Sequence, residues 1–268
     1  MMETLKTPIH ASSRTLLADL QTPVSIYLKV RDMFPHSVLL ESSDYHSADN
    51  SYSFIGIEPI ARFSVRAGQL TEQFPDGRVR LRQLGPELGV QDALNDFVAS
   101  FQVSGDTAVA NGFFGYTAYD AVRYFEPVEI ASPDEEMSGI PEITYMLYRF
   151  VIAVNHLRGE MTVTENLSPG EPSKLDQLLS IDSRNFPTYD FRARGGVTSP
   201  VTDEQYMEMV RSGIAHCLRG DVFQIVLSRR FQQPYIGDDF KVYRALRSIN
   251  PSPYLFYFDF GSYRIFGS

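Results

Sequence analysis

Short runs of apolar residues, separated by turn-forming residues, recur along the first part of the chain and predict β-strands. The pair Asp76-Gly77 predicts a tight hairpin turn between two of these strands, because both residue types tolerate the backbone that such turns need. The predicted strands of this part lie over 37–42, 53–58, 61–67, 70–74 and 78–84.

Helix signals are interspersed among these strands. The pair Thr22-Pro23 is typical of an N-cap followed by a first helical residue, and it predicts a helix through about residue 33. Apolar residues at helical spacing predict a second helix over 91–101. Shorter helices are predicted over 119–125 and 241–248.

A longer helix is predicted after residue 202, where Thr202 and Gln205 form a capping box. Gly220 is typical of a helix end and closes it. One face of this helix is apolar, so we expect its cysteine to be a buried, unreactive thiol. The residues of that face are Val210, Ile214, Cys217 and Leu218.

The remaining apolar runs predict further strands, most of them joined as hairpins. A chain of hairpins indicates a largely antiparallel sheet with helices packed on it, which is an α+β fold and not a doubly wound one. Residues 181–200 combine Pro, Gly, Ser and Arg without apolar periodicity, which is typical of a linker. The further predicted strands lie over 111–116, 143–155, 160–165, 222–231 and 254–260.

Charge and composition narrow the class of protein. The 33 acidic and 24 basic residues give a net charge of −9, which argues against nucleic acid or an anionic membrane as a partner. The single cysteine excludes a disulfide framework within the chain, and no run of eighteen apolar residues predicts a membrane span. The beginning of the chain lacks the apolar core of a signal peptide, so a cytoplasmic location is expected.

Generic catalytic and metal-binding motifs are missing from the sequence. The five histidines, at positions 10, 36, 46, 156 and 216, show no ligand-like spacing, and we expect surface or core roles for them. The pair Glu41-Ser42 is less ordinary, because it puts a carboxylate and a hydroxyl directly after a buried apolar run. A strand that simply reaches the surface would explain this pair, and so would a small polar site.

Five segments together resemble component I of anthranilate synthase, a family of chorismate-using enzymes. They occur in the order of the family and span most of the chain. The resemblance implies an N-terminal domain over 1–190, a linker over 191–200 and the beginning of a larger chorismate-binding α+β domain over 201–268, where the chain stops within a hairpin. The segments are LLES (39–42), SFIGIEP (53–59), GFFGYTAYDAVRYFE (112–126), GDVFQIVLSRRF (220–231) and NPSPYLFYFDFG (250–261).

The resemblance also implies a regulatory site for L-tryptophan, the end product of the pathway, which would act allosterically as a feedback inhibitor. Two departures from the family pattern accompany this site: Leu255 stands where Met is usual, and Ser51 stands where many members have a basic residue. The residues implied in tryptophan binding are Leu40, Glu41, Ser42, Pro253, Tyr254 and Leu255.

For the complete enzyme, the resemblance implies a lyase that converts chorismate and ammonia into anthranilate and pyruvate, the first step of tryptophan biosynthesis. Mg²⁺ would hold the chorismate carboxylate, and a glutamine amidotransferase subunit, component II, would supply the ammonia. The catalytic and Mg²⁺-binding residues are expected beyond residue 268. No catalytic or metal-binding residue is therefore assigned here, and residues 1–268 alone are expected to be inactive.

Two alternatives stay open. Component I of aminodeoxychorismate synthase, in the folate pathway, is a sister enzyme whose members tend to carry Asn at the position of Val226 and Ala-Pro-Phe at the position of Ser252-Pro253-Tyr254. A non-catalytic amino-acid-binding module is the other alternative.

Overall fold

The computed structural model describes residues 6–42, 51–106, 111–130, 139–181 and 186–268. The chain forms two compact units. Unit 1 comprises Met1–Pro187 and Ala245–Ser268, and unit 2 comprises Thr188–Arg244. The units divide the chain differently from the predicted domains, because residues 245–268 belong to unit 1; the domain boundaries near 190 and 200 stay a prediction.

The described elements alternate irregularly between strands and helices. The helices are α1 (Pro23–Val30), α2 (Val90–Ala99), α3 (Leu175–Leu179), α4 (Asp203–Arg219) and α5 (Phe240–Ile249), with a 3₁₀ helix over Tyr119–Tyr124. The strands are β1 (Thr7–Leu17), β2 (Val38–Ser42), β3 (Tyr52–Arg66), β4 (Gln69–Gln73), β5 (Val79–Gln83), β6 (Phe101–Gly105), β7 (Phe113–Thr117), β8 (Ile143–Asn155), β9 (Glu160–Leu167), β10 (Phe191–Ala193), β11 (Tyr235–Gly237), β12 (Tyr254–Asp259) and β13 (Arg264–Gly267).

Unit 1 is built on an eleven-stranded sheet whose main path runs β13-β12-β2-β3-β8-β9-β1-β6. Off this path, β4 pairs with both β3 and β5, and β7 pairs with β8. Every pairing in this sheet is antiparallel except the one between β1 and β6. In unit 2, β10 and β11 form a two-stranded antiparallel sheet. The predicted α+β class is therefore confirmed.

The core of unit 1 lies on both faces of β8, which is buried along nearly its whole length. On one side, α2 packs Val90, Ala93 and Phe97 into an apolar cluster with Phe63 and Leu147. A second cluster gathers Val38, Met146, Tyr148, Val151, Phe258 and Phe260. A strand covered on both faces is expected to be almost uniformly apolar, as the sequence of β8 is.

Local signals in the sequence match the structure closely. Thr22 caps α1 and Pro23 begins it, and the Thr202–Gln205 capping box is formed at the start of α4. Gly77 has a φ of 82°, and the Asp76 carboxylate accepts the Arg78 N–H in the turn. These features depend on a few neighbouring residues, which explains why the sequence alone predicts them.

Other elements differ from the prediction. The strands expected over 53–58 and 61–67 are one continuous strand, β3, whose register shifts between Pro59 and Ala61. Helix α2 ends at Ala99, and Phe101 begins β6 instead of continuing the helix. Strand β1 and strand β6 were not predicted; they pair with each other, side by side, at one edge of the sheet.

Two expectations for unit 2 are wrong. Residues 222–231 are irregular, because a strand needs a neighbour for its backbone groups and only the bridge between Gln232 and Thr198 forms there. Cys217 is exposed, and so is Leu218, whose side of α4 is not covered within unit 2. Helix α4 instead approaches residues 225–227 at Gly213.

None of the helices in the described ranges has the length and apolar character needed to cross a membrane.

Candidate functional site

The strand pair β2–β12 brings together the two segments singled out in the sequence. The two strands are antiparallel, with Ser42 opposite Tyr254, Glu41 opposite Leu255 and Leu40 opposite Phe256. Residues separated by more than two hundred positions thus become direct neighbours, and the predicted meeting of the LLES and NPSPYL segments is seen in unit 1.

Alternation along the ladder divides the six predicted residues between two faces. Leu40 points to the face occupied by the second apolar cluster, where it packs with Phe256. Glu41 and Leu255 point to the opposite face, and both are buried. Tyr254 is 66% exposed, and Pro253 is also exposed. A ligand on either face would therefore contact only part of the predicted set.

The face of Glu41 and Leu255 opens into a cavity of about 480 Å³. That volume lies within the roughly 300–1,000 Å³ typical of small-molecule sites. Of the six predicted residues, Glu41, Ser42 and Leu255 line it, and Leu40, Pro253 and Tyr254 do not. The other lining residues are Ser51, His156, Arg247, Pro251 and Ser252.

The cavity contains a buried carboxylate that forms an ion pair with an arginine. The Glu41 side chain is 4% exposed, and its Oε2 lies 3.1 Å from Nε of Arg247, which is 48% exposed. Arg247 reaches the cavity from the last part of α5, within unit 1. A carboxylate this buried needs a charged or hydrogen-bonding partner, and Arg247 is such a partner at this position.

His156 lines the cavity and is hydrogen-bonded to Ser53, which lies beside the cavity without lining it. Ser53 Oγ lies 2.7 Å from Nε2 of His156 and accepts the backbone N–H of Ser42 at 3.4 Å. Burial lowers the pKa of His156; the Glu41 carboxylate opposes this shift and the Arg247 guanidinium reinforces it. The ring is therefore held toward its neutral form, in which each nitrogen either donates or accepts one hydrogen bond.

Several residues at or beside the cavity were not predicted from the sequence, among them Arg247, His156 and Ser53. Arg247 lies on a helix surface, His156 follows the end of β8, and Ser53 is a buried polar residue near the start of β3. Only Ser53 left a signal that could have been read, namely a hydroxyl at an inward position of a strand. The other two positions depend on which strands and helices become neighbours.

The other sequence candidates lie elsewhere or stay undescribed. His46 is outside the described residues. His216 is on α4 in unit 2, where its Nδ1 lies 2.8 Å from Asp221. Within the described parts of the chain, no group of three His, Cys, Asp or Glu side chains is arranged to hold a metal ion. The described residues thus offer no Mg²⁺ site, and Mg²⁺ ligands beyond residue 268 stay a prediction.

Chemically, the cavity is suited to bind rather than to transform a small molecule. The Glu41 carboxylate and the Arg247 guanidinium lie side by side, while Leu255 and Pro251 provide an apolar surface next to them. Such a pair complements a zwitterion, because the carboxylate can accept an ammonium group and the guanidinium can donate to a carboxylate.

Comparison with known proteins identifies the family. Residues 36–268 match the family described as chorismate binding enzyme. The chain is 31% identical to anthranilate synthase component 1 of Thermus thermophilus, over 94% of this chain and 54% of that protein. It is 30% identical to the protein of the same name from Acinetobacter calcoaceticus, over 91% of this chain and 51% of that protein.

A solved structure is also similar. Anthranilate synthase component I from Streptococcus pneumoniae TIGR4 aligns with a TM-score of 0.63 and 26% identity, covering 81% of this chain and 49% of that one. The chain thus spans about half the length of the curated relatives it matches. The family match covers most of the chain, and the shared fold supports it independently: this chain belongs to the chorismate-binding enzyme family.

Proposed function

We propose that the chain is part of component I of an anthranilate synthase. The complete enzyme would be a cytoplasmic lyase that forms anthranilate and pyruvate from chorismate and ammonia, with a component II subunit supplying ammonia from glutamine. The support is the name shared by the relatives that align with nearly the whole chain. Val226 and Ser252-Pro253-Tyr254 favour this enzyme over the folate-pathway sister enzyme.

Within that enzyme, the cavity between β2, β12 and α5 is proposed to bind L-tryptophan as a feedback inhibitor. The observation that carries this proposal is the ion pair between Glu41 and Arg247, both of which line a cavity of suitable size. The ammonium group of the ligand would bind Glu41, the carboxylate would bind Arg247, and Leu255 with Pro251 would contact the indole.

Regulation would follow from unequal affinity. Tryptophan favours one arrangement of the enzyme only as far as it binds that arrangement better than the other. A coupling of about 1–3 kcal/mol is typical of such linkage. The ligand would replace one contact between β2 and α5 with two contacts of its own, and the position of α5 is then the quantity that binding changes.

The test is isothermal titration of residues 1–268 with L-tryptophan, with L-phenylalanine and indole as comparison ligands. We expect selective binding of L-tryptophan, because indole lacks both charged groups. Glu41→Gln should weaken binding at least tenfold, since hydrogen bonds to charged groups contribute about 1.5–3 kcal/mol. Ser42→Phe should abolish binding by filling the cavity. Glu87→Gln is the matched control for Glu41→Gln, because Glu87 is exposed and does not line the cavity.

Equal affinity of a folded Ser42→Phe variant and the original chain would contradict the effector site without affecting the enzyme assignment. That assignment has its own test. A longer protein that contains this chain should form anthranilate from chorismate, ammonia and Mg²⁺, whereas purified residues 1–268 should form none. Anthranilate production by residues 1–268 would show that the predicted inactivity is wrong.

A further inference from the structure

A second cavity, of about 270 Å³, lies on the polar face of the β3–β4 hairpin in unit 1. Alternation along the two strands places six polar side chains on this face, as three cross-strand pairs. The pairs are Arg62 with Gln73, Ser64 with Thr71 and Arg66 with Gln69. All six line the cavity, together with residues near β12 and β13.

The charged side chains among the described lining residues of this cavity are both cationic, Arg62 and Arg66. No Asp or Glu is among its described lining residues. Within the described ranges, neither Arg62 nor Arg66 forms an ion pair. A chain with a net charge of −9 has many carboxylates, so two neighbouring arginines without one stand out.

The arginines of β5, the strand that pairs with β4, differ from those of β3 in having carboxylate partners. Both Arg80 and Arg82 of β5 bind the buried carboxylate of Glu72, at 2.6 and 2.9 Å. Arg78 pairs with Asp76 at the turn. The acids of the hairpin thus pair with the arginines of β5, whereas Arg62 and Arg66 of β3 have no ion pair with any residue in the part of the chain that the structure describes.

Arg62 is also held in place. Its Nε donates to Oγ1 of Thr144, a buried residue of β8, at 3.2 Å. This bond uses one nitrogen of the guanidinium and fixes its plane. A guanidinium fixed in this way recognises carboxylate or phosphate with less loss of side-chain freedom than a mobile one.

The nearest acidic and phenolic groups are engaged elsewhere. The Glu142 carboxylate accepts the backbone N–H of Ala67 at 2.9 Å and does not line the cavity. The hydroxyls of Tyr116 and Tyr263 bond each other at 3.0 Å, and Tyr116 donates to the carbonyl of Pro141. Of these groups, only Tyr263 and Pro141 line the cavity, and neither carries a negative charge there.

We propose that this cavity binds a small multivalent oxyanion through Arg62 and Arg66, with the hydroxyls and amides of the cross-strand pairs as further donors. The ligand class is a phosphorylated or polycarboxylated small molecule. The site is distinct from the cavity of Glu41 and Arg247, and the proposal does not depend on the function proposed for that cavity.

The experiment is a titration of residues 1–268 with inorganic phosphate and, separately, with citrate, each compared with sodium chloride at the same ionic strength. Binding would be measured by calorimetry and by the rise in Tm. We expect saturable binding of at least one of the two anions. Stronger binding of phosphate would indicate a phosphoryl group in the natural ligand, and stronger binding of citrate would indicate carboxylates.

Variants identify the site. Arg66→Gln, at an exposed position, should weaken anion binding at least tenfold. Arg62→Lys should weaken it severalfold, because lysine keeps the charge but lacks the paired N–H donors of the planar guanidinium. Arg192→Gln makes the same charge change at an exposed arginine of β10 and should leave binding unchanged. Absence of saturable binding by both anions, or equal binding by the chain and its folded Arg66→Gln variant, would overturn the proposal.

Discussion

Residues 143–155 and residues 222–231 are both rich in apolar residues, and both are predicted to form a strand. The first becomes β8, the central strand of the large sheet, with neighbours on both edges and apolar clusters on both faces. The second is irregular, and Phe223, Val226 and Phe231 on it are exposed. The comparison shows that an apolar run specifies a strand only where other strands satisfy its backbone hydrogen bonds.

The largest expected effect on stability comes from replacing one arginine in each segment. Arg149 in β8 is 3% exposed and pairs with Glu165, which is fully buried. Arg149→Met should reduce the free energy of unfolding by about 3–5 kcal/mol, because it leaves a buried carboxylate without its cation. Urea denaturation monitored by circular dichroism measures the change.

The matched variant is Arg229→Met in the irregular segment. Arg229 pairs with Asp203, whose side chain is 79% exposed, so the loss should be at most about 1 kcal/mol. Equal losses for the two variants would mean that burial does not distinguish the two segments.

A second pair of variants removes the same two methyl groups from each segment. Val151→Ala in β8 should cost about 2 kcal/mol, because Val151 is buried within an apolar cluster. Val226→Ala should change stability by less than about 0.5 kcal/mol, because Val226 is 82% exposed. A large loss for Val226→Ala would show that residues 222–231 pack more tightly in solution than in the structure.

The smallest expected effect concerns the histidine after the end of β8. Burial lowers the pKa of His156, so the unfolded chain binds a proton at a higher pH than the folded chain does. Its contribution to stability should be complete above about pH 6.5 and should decrease as the pH falls through the lower pKa of the folded state. Comparing urea midpoints of the chain and of His156→Gln between pH 5 and 8 measures this; identical pH slopes would contradict it.

Local features of the fold were accessible from the sequence, and long-range ones were not. The Asp76-Gly77 turn, the cap at Thr22 and the capping box at Thr202 depend on adjacent residues. The extent of β8 follows from its continuous apolar run. The parallel pairing of β1 with β6 depends on the whole sheet. The sequence of β1 did contain a strand signal, because Thr7, Ile9 and Ala11 occupy alternate positions, and these are the positions that are buried.

For the candidate site, the sequence located the two strands and the family resemblance connected them. Glu41 and Leu255 were correctly expected to be near each other, and the structure places them opposite each other. Arg247 was missed because its role depends on α5 reaching across to β2, and nothing in the residues around it indicates this. The resemblance implied both Leu40 and Glu41 in tryptophan binding, but adjacent residues of a strand point to opposite faces.

The pairing of β2 with β12 has a consequence for how the protein is made. About 210 residues separate the two strands, and at roughly 5–20 residues per second a ribosome needs about 10–40 s to synthesise them. Throughout that interval the nascent chain has β2 without the neighbour that completes its edge. The wall formed by Leu255, and the cavity with it, can exist only after β12 has emerged and docked. Any ligand of that cavity is thus recognised by the finished sheet and not by the growing chain.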